Sequence, residues 1–180
     1  GRAIYDVRCL IDFLIDNKGI TSEDVPKTDP NKIYLVGFAY GGMVALYSTA
    51  LDKRIAGVAC FSGFTPMRTD IEKKPSGGLK RYYDWHNILP KLGLFKGKEN
   101  TIPYDYEDII ELIAPKKCFI YAQTNDRFSD INDIKHCVEK AKLFWDNSDD
   151  FKFEISNDVC RFQNNEKNAV IKWLNYIVNK

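Results

Sequence analysis

The sequence has 180 residues, 44% of them hydrophobic, which is long enough for one domain that buries about 70% of its unfolded surface. Its 26 basic and 25 acidic side chains leave a formal net charge of +1, so charge gives no reason to expect binding to nucleic acid or to an anionic membrane. The apolar runs are also too short to span a bilayer, and we expect no membrane span.

The first half of the chain predicts a helix, a strand, a second helix and a second strand. Apolar side chains follow a helical period over residues 3–17, with Gly19 as the predicted stop. A polar connector leads to residues 33–38, whose unbroken apolar run is typical of a parallel strand buried on both faces. A helix then follows and ends near Asp52, and Ile55–Phe61 reads as the second buried strand.

Residues 62–103 differ in character from the rest of the chain. Prolines and the pair Gly77-Gly78 break any long period, and aromatic residues are interspersed among them. This segment is longer than an ordinary connection between two strands, so we predict a lid-like insertion or binding loop.

The second half of the chain again alternates between helices and strands. We predict a short helix at 106–113, a strand at 117–122, a loop at 123–129, a helix at 131–145, a strand at 151–155 and a terminal helix through 170–177. Such alternation implies a parallel sheet with right-handed crossovers. The predicted fold class is α/β: one three-layer, doubly wound domain over residues 1–180, with about four strands in sequential order.

The strand at 33–38 reads as an interior strand, yet nothing upstream supplies a strand for its outer edge. A long apolar edge with unpaired backbone groups is an aggregation hazard. We therefore expect the chain to be the C-terminal part of a larger fold, or another polypeptide to cover this strand. Because Gly1 is not an initiator methionine, the sequence leaves both the upstream segment and the compartment open.

The turn between the first strand and its helix reads Gly37-Phe38-Ala39-Tyr40-Gly41-Gly42. Its spacing matches the nucleophile elbow G-x-S-x-G, in which a serine lies at the tip of a tight strand-to-helix turn. Here the tip is Ala39, whose methyl group cannot attack a carbonyl carbon. Glycine-rich turns are also common in doubly wound sheets, so this motif alone does not decide the function.

The five cysteines are odd in number and show no C-x-x-C spacing. Cys60 and Cys118 fall in predicted strands, and Cys9 and Cys137 fall in predicted helices, where cysteine usually behaves as a small buried hydrophobe. We therefore expect no disulfide framework, no zinc or other metal site, and no cofactor.

Taken together, the segments resemble the C-terminal half of an α/β-hydrolase, and more narrowly the acetyl-xylan-esterase-like and dienelactone-hydrolase-like esterases. The resemblance covers nearly the whole chain, and six pieces occur in the family's order. They are GRAIYDVRCLIDFL, DPNKIYLVGFAYGG, ALDKRIAGV, DWHNILPKLG, IELIAPKKCFIYAQTNDRF and CRFQNNEKNAVIKWL. The resemblance implies an esterase fold with a catalytic triad of nucleophile, acid and histidine.

The resemblance assigns each triad position to a residue of this sequence. Ala39 occupies the nucleophile position, and Asp126, in the loop after the third strand, matches the acid. Cys160 stands where the family has the histidine, in Cys160-Arg161-Phe162 before the terminal helix. A serine-to-alanine change alone leaves open an engineered substitution that traps a substrate, whereas loss of the histidine as well favours natural decay of the site.

These departures imply that acyl-enzyme chemistry has lost both its nucleophile and its general base. The backbone N–H of Tyr40 is a retained oxyanion-hole donor, while the second donor of this fold comes from an upstream loop. A Cys160 thiolate is an alternative nucleophile, but a neighbouring Asp126 would disfavour the thiolate form.

The resemblance also implies residues that line a pocket around the triad positions. The candidates are Phe38, Phe64, Trp85, His86 and Phe128. His86 matches the family's DWHN-like segment, although a hydrogen-bonded loop histidine is the simpler interpretation. His136 is expected to be a solvated helix residue.

Three functional hypotheses follow from the sequence. The first is an inactive hydrolase-like protein kept as a structural or binding component, with a partner protein or the missing N-terminal half. The second is an esterase whose active form carries serine at position 39. The third is a binding module that holds a small ester, acyl or carbohydrate ligand without turnover.

Overall fold

A computed structural model describes residues 1–16, 28–86 and 88–179 of the chain. The predicted helix stop at Gly19 lies outside the described residues. The described part contains five α-helices and four β-strands in alternating order. They are α1 (Arg2–Asp16), β1 (Ile33–Phe38), α2 (Tyr40–Leu51), β2 (Ile55–Phe61), α3 (Tyr106–Glu111), β3 (Lys117–Asn125), α4 (Ile131–Lys142), β4 (Phe151–Val159) and α5 (Asn164–Val178).

The four strands form one parallel sheet in the order β1-β2-β3-β4, which confirms the predicted sequential order. Parallel pairing places all four carboxyl ends at the same edge of the sheet. The central strands β2 and β3 are almost entirely buried, as their unbroken apolar sequences predict.

Helices cover both faces of the sheet, so the domain has the predicted three layers. Helices α1 to α4 contact one another in sequence on one face. The larger apolar core lies on that face and includes side chains from the segment between β2 and α3, residues 62–105, which we call the lid. Helix α5 packs on the opposite face through Val170, Trp173 and Ile177. The two central strands are therefore covered on both faces, which is the burial pattern expected inside a parallel sheet.

Strands β3 and β4 extend past their predicted ends. The prediction ended β3 at 122 because the residues that follow are polar, yet the strand continues to Asn125. Pairing explains the difference, since Asn125 lies opposite Val159 and both strands run on together. Helix α4 ends at Lys142, and Trp145 lies just beyond it with its Nε1 donating to the carbonyl oxygen of Lys116 at 2.8 Å.

Strand β1 lies at an edge of the sheet and, among the described residues, pairs only with β2. Val36 in this strand is 43% exposed. The neighbouring helix α1 also exposes apolar side chains, namely Tyr5, Leu10 and Phe13. An apolar strand edge beside an apolar helix stripe is typical of a surface that another polypeptide covers.

The lid between β2 and α3 contains short irregular helices at Arg81–Trp85, Pro90–Phe95 and Glu99–Thr101. One carboxylate organises its first part. Asp70 Oδ1 accepts the N–H groups of Ser76 and Gly77, each at 2.9 Å, and its Oδ2 accepts those of Leu79 and Lys80, each at 2.8 Å. The backbone that leads into Arg81 is therefore fixed by a buried side chain.

The cysteines differ from expectation at one position. Cys60, Cys118 and Cys137 are buried as predicted, but Cys9 is exposed because it lies on the outer face of α1. Within the described ranges, no helix is both long and apolar enough to cross a membrane.

Candidate functional site

The turn after β1 has the backbone geometry of a nucleophile elbow. Ala39, at its tip, has φ 51° and ψ −121°. Residues other than glycine rarely adopt a positive φ of this kind. Its N–H donates to the carbonyl oxygen of Phe61 at 2.9 Å, and its own carbonyl oxygen accepts from the N–H of Met43 at 3.1 Å. Two backbone hydrogen bonds thus tie Ala39 to β2 and to α2, and neither of them depends on the side chain at position 39.

Glycine makes the tight connection possible at two positions. A Cβ on Gly37 would lie 2.2 Å from the carbonyl oxygen of Gly41, so the strand and helix backbones touch there. A Cβ on Gly42 would meet the Cα of Gly63 at 3.0 Å. By contrast, a Cβ on Gly41 would meet nothing within 4 Å.

A cavity of about 470 Å³ opens above the carboxyl ends of the strands. Each strand contributes to its wall the residue directly after the strand's own last residue: Ala39 after β1, Ser62 after β2, Asp126 after β3 and Cys160 after β4. The structure therefore brings Ala39, Asp126 and Cys160 together in one cavity. This is the position at which open α/β sheets bind ligands.

Asp126 is only 9% exposed and is held in place by neighbouring groups. Its Oδ1 accepts the N–H of Phe128 at 2.9 Å, which fixes the loop after β3. Its carboxylate also lies close enough to the thiol of Cys160 to raise the pKa of that thiol. Asp126 thus occupies a position from which it can orient whatever side chain stands at position 160.

The thiol of Cys160 is held in its neutral form. Burial is the largest cause and the neighbouring Asp126 carboxylate adds to it, while Ser62 and Arg81 act in the opposite direction, and together they raise the pKa of this thiol to about 11. A neutral thiol is a poor nucleophile and cannot accept a proton as an imidazole does. The arrangement therefore offers no general base at position 160.

Gln123, near the end of β3, holds the loop that carries Cys160. This side chain is 2% exposed. Its Oε1 accepts the N–H of Arg161 and the hydroxyl of Ser62, each at 3.0 Å, and its Nε2 donates to the carbonyl oxygen of Arg161 at 3.2 Å. Nε2 also contacts Glu166 at 3.3 Å. One amide thus connects β2, the loop after β4 and helix α5.

Sequence reasoning missed three residues of this site. Ser62 has φ 45°, so a second strained residue lies beside Ala39, and strained backbone tends to cluster at functional sites. Arg81 enters the cavity from the lid. Gln123 lies in a stretch predicted as loop. The patterns near Ser62 and Arg81 contain no signal for the site, whereas Gln123 is the first residue of the predicted loop that carries Asp126.

The predicted pocket residues divide into two groups. Trp85, His86 and Phe128 line the cavity. Phe38 and Phe64 do not. Phe38 packs against Phe162 on the α5 side of the sheet, with ring centroids 5.7 Å apart. Phe64 is buried in the opposite core.

Phe64 turns away from the cavity because its ring stacks on Tyr106, with centroids 4.6 Å apart. His136 lies on the exposed face of α4, away from the cavity wall. Across residues 1–16, 28–86 and 88–179, no group of three or more His, Cys, Asp or Glu side chains could hold a metal ion.

Tyr40, the first residue of α2, also lines the cavity. The N–H groups in the first turn of a helix have no acceptor within the helix, and the positive end of the helix dipole lies there. The backbone at Tyr40 can therefore donate to an oxygen atom that enters the cavity, independently of the side chain at Ala39.

Comparisons of sequence point to esterases. The family model for Phospholipase/Carboxylesterase matches residues 2–88, slightly less than half of the chain. The chain is also 29% identical over 106 residues to a probable carboxylesterase SOBER1-like protein of Arabidopsis thaliana. That alignment covers 57% of this chain and 37% of the Arabidopsis protein.

Comparisons of structure agree on the fold. The glucuronoyl esterase from Solibacter usitatus matches 96% of this chain with a TM-score of 0.72 and 16% sequence identity. A carbohydrate esterase family 15 glucuronoyl esterase from Caldicellulosiruptor kristjansonii also matches 96% of this chain, with a TM-score of 0.73 and 18% sequence identity. Arabidopsis thaliana SOBER1 matches 97% with 0.58 at 16% identity. The chain spans only 47%, 48% and 62% of these three structures.

Proposed function

This chain is an α/β-hydrolase-like protein that resembles esterases, and from that premise we propose that it is a hydrolase-like component without acyl-transfer activity, kept for binding or for a structural role. In this proposal Ala39 stands at the nucleophile position, Asp126 at the acid position and Cys160 at the histidine position. The backbone N–H of Tyr40 is the remaining oxyanion donor.

One observation carries this proposal: a turn with elbow geometry presents a methyl group to the cavity that also contains Asp126 and Cys160. Acyl transfer by a triad requires a hydroxyl to attack the carbonyl carbon and an imidazole to take its proton. The thiol at 160, with its pKa raised by burial, supplies neither function at neutral pH.

The other hydroxyl in the cavity does not replace the missing one. Ser62 Oγ donates its proton to Gln123 Oε1 at 3.0 Å, and an amide oxygen is not a general base. His86 lines the cavity as well, yet it lies in the lid, and no hydrogen bond joins it to Ser62 among the described residues.

A hydrolysis assay tests the proposal. We expect no turnover of a chromogenic short-chain acetate by the chain as it stands, and measurable turnover after the pair Ala39→Ser and Cys160→His. Each single substitution serves as a control, because hydroxyl and imidazole act as a unit. Turnover by the unmodified chain that follows the protein through purification would contradict the proposal.

A second candidate is an esterase whose active form carries serine at position 39. The retained backbone of the elbow favours this candidate, because φ 51° at a non-glycine residue is strain that serves to present a nucleophile. The single variant Ala39→Ser separates the two. Appreciable turnover with Cys160 still in place favours an incomplete esterase, whereas activity only in the double variant favours a lost triad.

We also propose that a further polypeptide segment covers β1, supplied by a longer chain or by a partner. The support is the apolar outer edge of β1, the exposed stripe on α1 and the fact that the chain spans about half of the glucuronoyl esterase structures. Native mass spectrometry of the protein from its source tests this idea. Detection of only a free 180-residue monomer would contradict it.

A further inference from the structure

We infer that the cavity binds a small organic carboxylate, with its carboxylate group on Arg81 and its apolar or aromatic body against Trp85 and Phe128. This inference rests on the proposed role of the cavity as a binding site. It adds the chemical class of the ligand and the residue that selects it.

Arg81 is a fixed cation without a carboxylate partner in the described part of the chain. Its Nε donates to the carbonyl oxygen of Gly77 and its Nη2 to that of Phe128, each at 3.1 Å. No salt bridge to this guanidinium occurs among the residues that the structure describes. Because a guanidinium has five N–H donors, three remain for a ligand.

The backbone around Arg81 is also held in place. Residues 76–80, directly before it, are fixed by the four hydrogen bonds to Asp70. Arg81 then begins a short π-helix, a rare element that is frequent at functional sites. A guanidinium that is already positioned loses little conformational entropy when a ligand binds.

The remainder of the wall suits an apolar ligand body. Met43 and Ile88 line the cavity on the side of α2 and the lid. Trp85 and Phe128 meet edge to face with centroids 5.7 Å apart, and they are 44% and 39% exposed. Small-molecule sites usually have mostly apolar walls with a few polar groups, and this cavity has that composition.

A carboxylate fits the cation better than a neutral group does. Guanidinium and carboxylate form two parallel charge-assisted hydrogen bonds, and apolar walls strengthen this interaction relative to water. Asp126 places a negative charge in the same cavity, but its Oδ1 already accepts from Phe128 N–H. Its charge should weaken the binding of an anion without abolishing it.

Isothermal titration calorimetry with phenylacetate and phenylacetamide tests the inference on the 180-residue chain. The two probes have the same body, and only one carries a charge. We expect phenylacetate to bind about tenfold or more tightly than the amide, in keeping with a charge-assisted hydrogen bond. Equal affinities, or no binding of either probe at millimolar concentration, would overturn the inference.

Variants locate the interaction. Arg81→Gln should remove the preference for phenylacetate, while Arg127→Gln should leave it unchanged. Arg127 is a matched control because its guanidinium lies 4.4 Å from the Phe128 ring centroid but outside the cavity wall. A preference that survives Arg81→Gln would overturn the assignment, and the comparison of probes on the unmodified chain decides the matter if that variant fails to fold.

Asp126→Asn gives a test of opposite sign. It removes the like charge in the cavity, so we expect phenylacetate to bind several-fold more tightly and phenylacetamide to be unaffected. Weaker binding of phenylacetate would contradict the placement. Because neither probe is an ester, these titrations do not depend on whether the chain hydrolyses esters, and a failure here is distinct from a failure of the proposed function.

Discussion

The two sides of the cavity are held in place by different means. On the side of the elbow, glycine contacts and backbone hydrogen bonds fix Ala39, and no side-chain polar group takes part. On the side of the β4 loop, the side chain of Gln123 fixes Arg161 and with it Cys160. Backbone packing therefore sets the shape of the elbow whatever side chain stands at position 39, whereas the other side depends on a few polar side chains.

This contrast indicates which parts of the candidate site should tolerate substitution. Position 39 can change its side chain without moving the turn, because the turn is made by its neighbours. The loop at position 160 should move when Gln123 is changed, because this side chain holds the loop although it does not line the cavity wall.

Replacement of Gly37 by alanine should have the largest effect. The new Cβ would lie 2.2 Å from the carbonyl oxygen of Gly41, a backbone atom that cannot rotate away. We expect a loss of about 3 kcal/mol or more in the free energy of unfolding, measured by urea denaturation. Gly41→Ala is the matched control. Its Cβ meets nothing within 4 Å, and it should be neutral or gain up to about 1 kcal/mol.

The thiol of Cys160 should alkylate slowly at neutral pH. With a pKa of about 11 rather than an ordinary value of about 8.5, its thiolate fraction at pH 7 should be roughly 300-fold lower than that of a free thiol. Iodoacetamide labelling followed by mass spectrometry measures this in a Cys9→Ser background, since Cys9 is exposed. Asp126→Asn should speed the labelling, and a rate equal to that of free cysteine would contradict the described site.

Gln123→Leu should loosen the β4 loop. It removes the acceptor for Arg161 N–H and the donor to Glu166 from a buried position, for an expected loss of about 2 kcal/mol in unfolding free energy. Alkylation of Cys160 should accelerate in parallel. Thr124→Val is the control, because its hydrogen bond to Asn157 is exposed and should contribute little. Equal effects of the two substitutions would remove the contrast between the two sides of the cavity.

Asp52→Asn should have the smallest effect, about 1 kcal/mol at pH 7. Asp52 ends the elbow helix, and hydrogen bonds from Arg54 lower the pKa of its carboxyl to about 2. A lowered pKa stabilises the folded protein above the ordinary value of about 3.9, and this contribution is lost as the pH falls through about 2. Urea denaturation at pH 7 and near pH 2 should show the difference vanish. The exposed Asp12→Asn provides the control.

The sequence predicted the architecture well where one kind of interaction dominates. Unbroken apolar runs gave β1 and β2 their observed bounds, because burial on both faces leaves few alternatives. The end of β3 was missed, since Thr124 and Asn125 are polar and only pairing with β4 keeps them extended. Cys9 was assigned to the interior from its residue type, although its helix carries it on the outer face.

The candidate site was predicted in part. The resemblance singled out Ala39, Asp126 and Cys160, and the topology brings all three to one cavity. Arg81 and Ser62 could not be found this way, because the path of the lid and the strained backbone after β2 arise from tertiary packing. Phe38 and Phe64 were misplaced for a related reason: a position near the end of a strand does not fix the face on which a side chain points.

The cluster around Asp70 has a consequence for the timing of motions in the lid. Because a single carboxyl group accepts from four amides within residues 76–80, those amides should exchange with deuterium as one unit, all protected or all released together. The wall in front of the cavity would then open through rare cooperative events rather than by gradual fraying. A ligand that enters the cavity would therefore usually meet a wall that is already ordered.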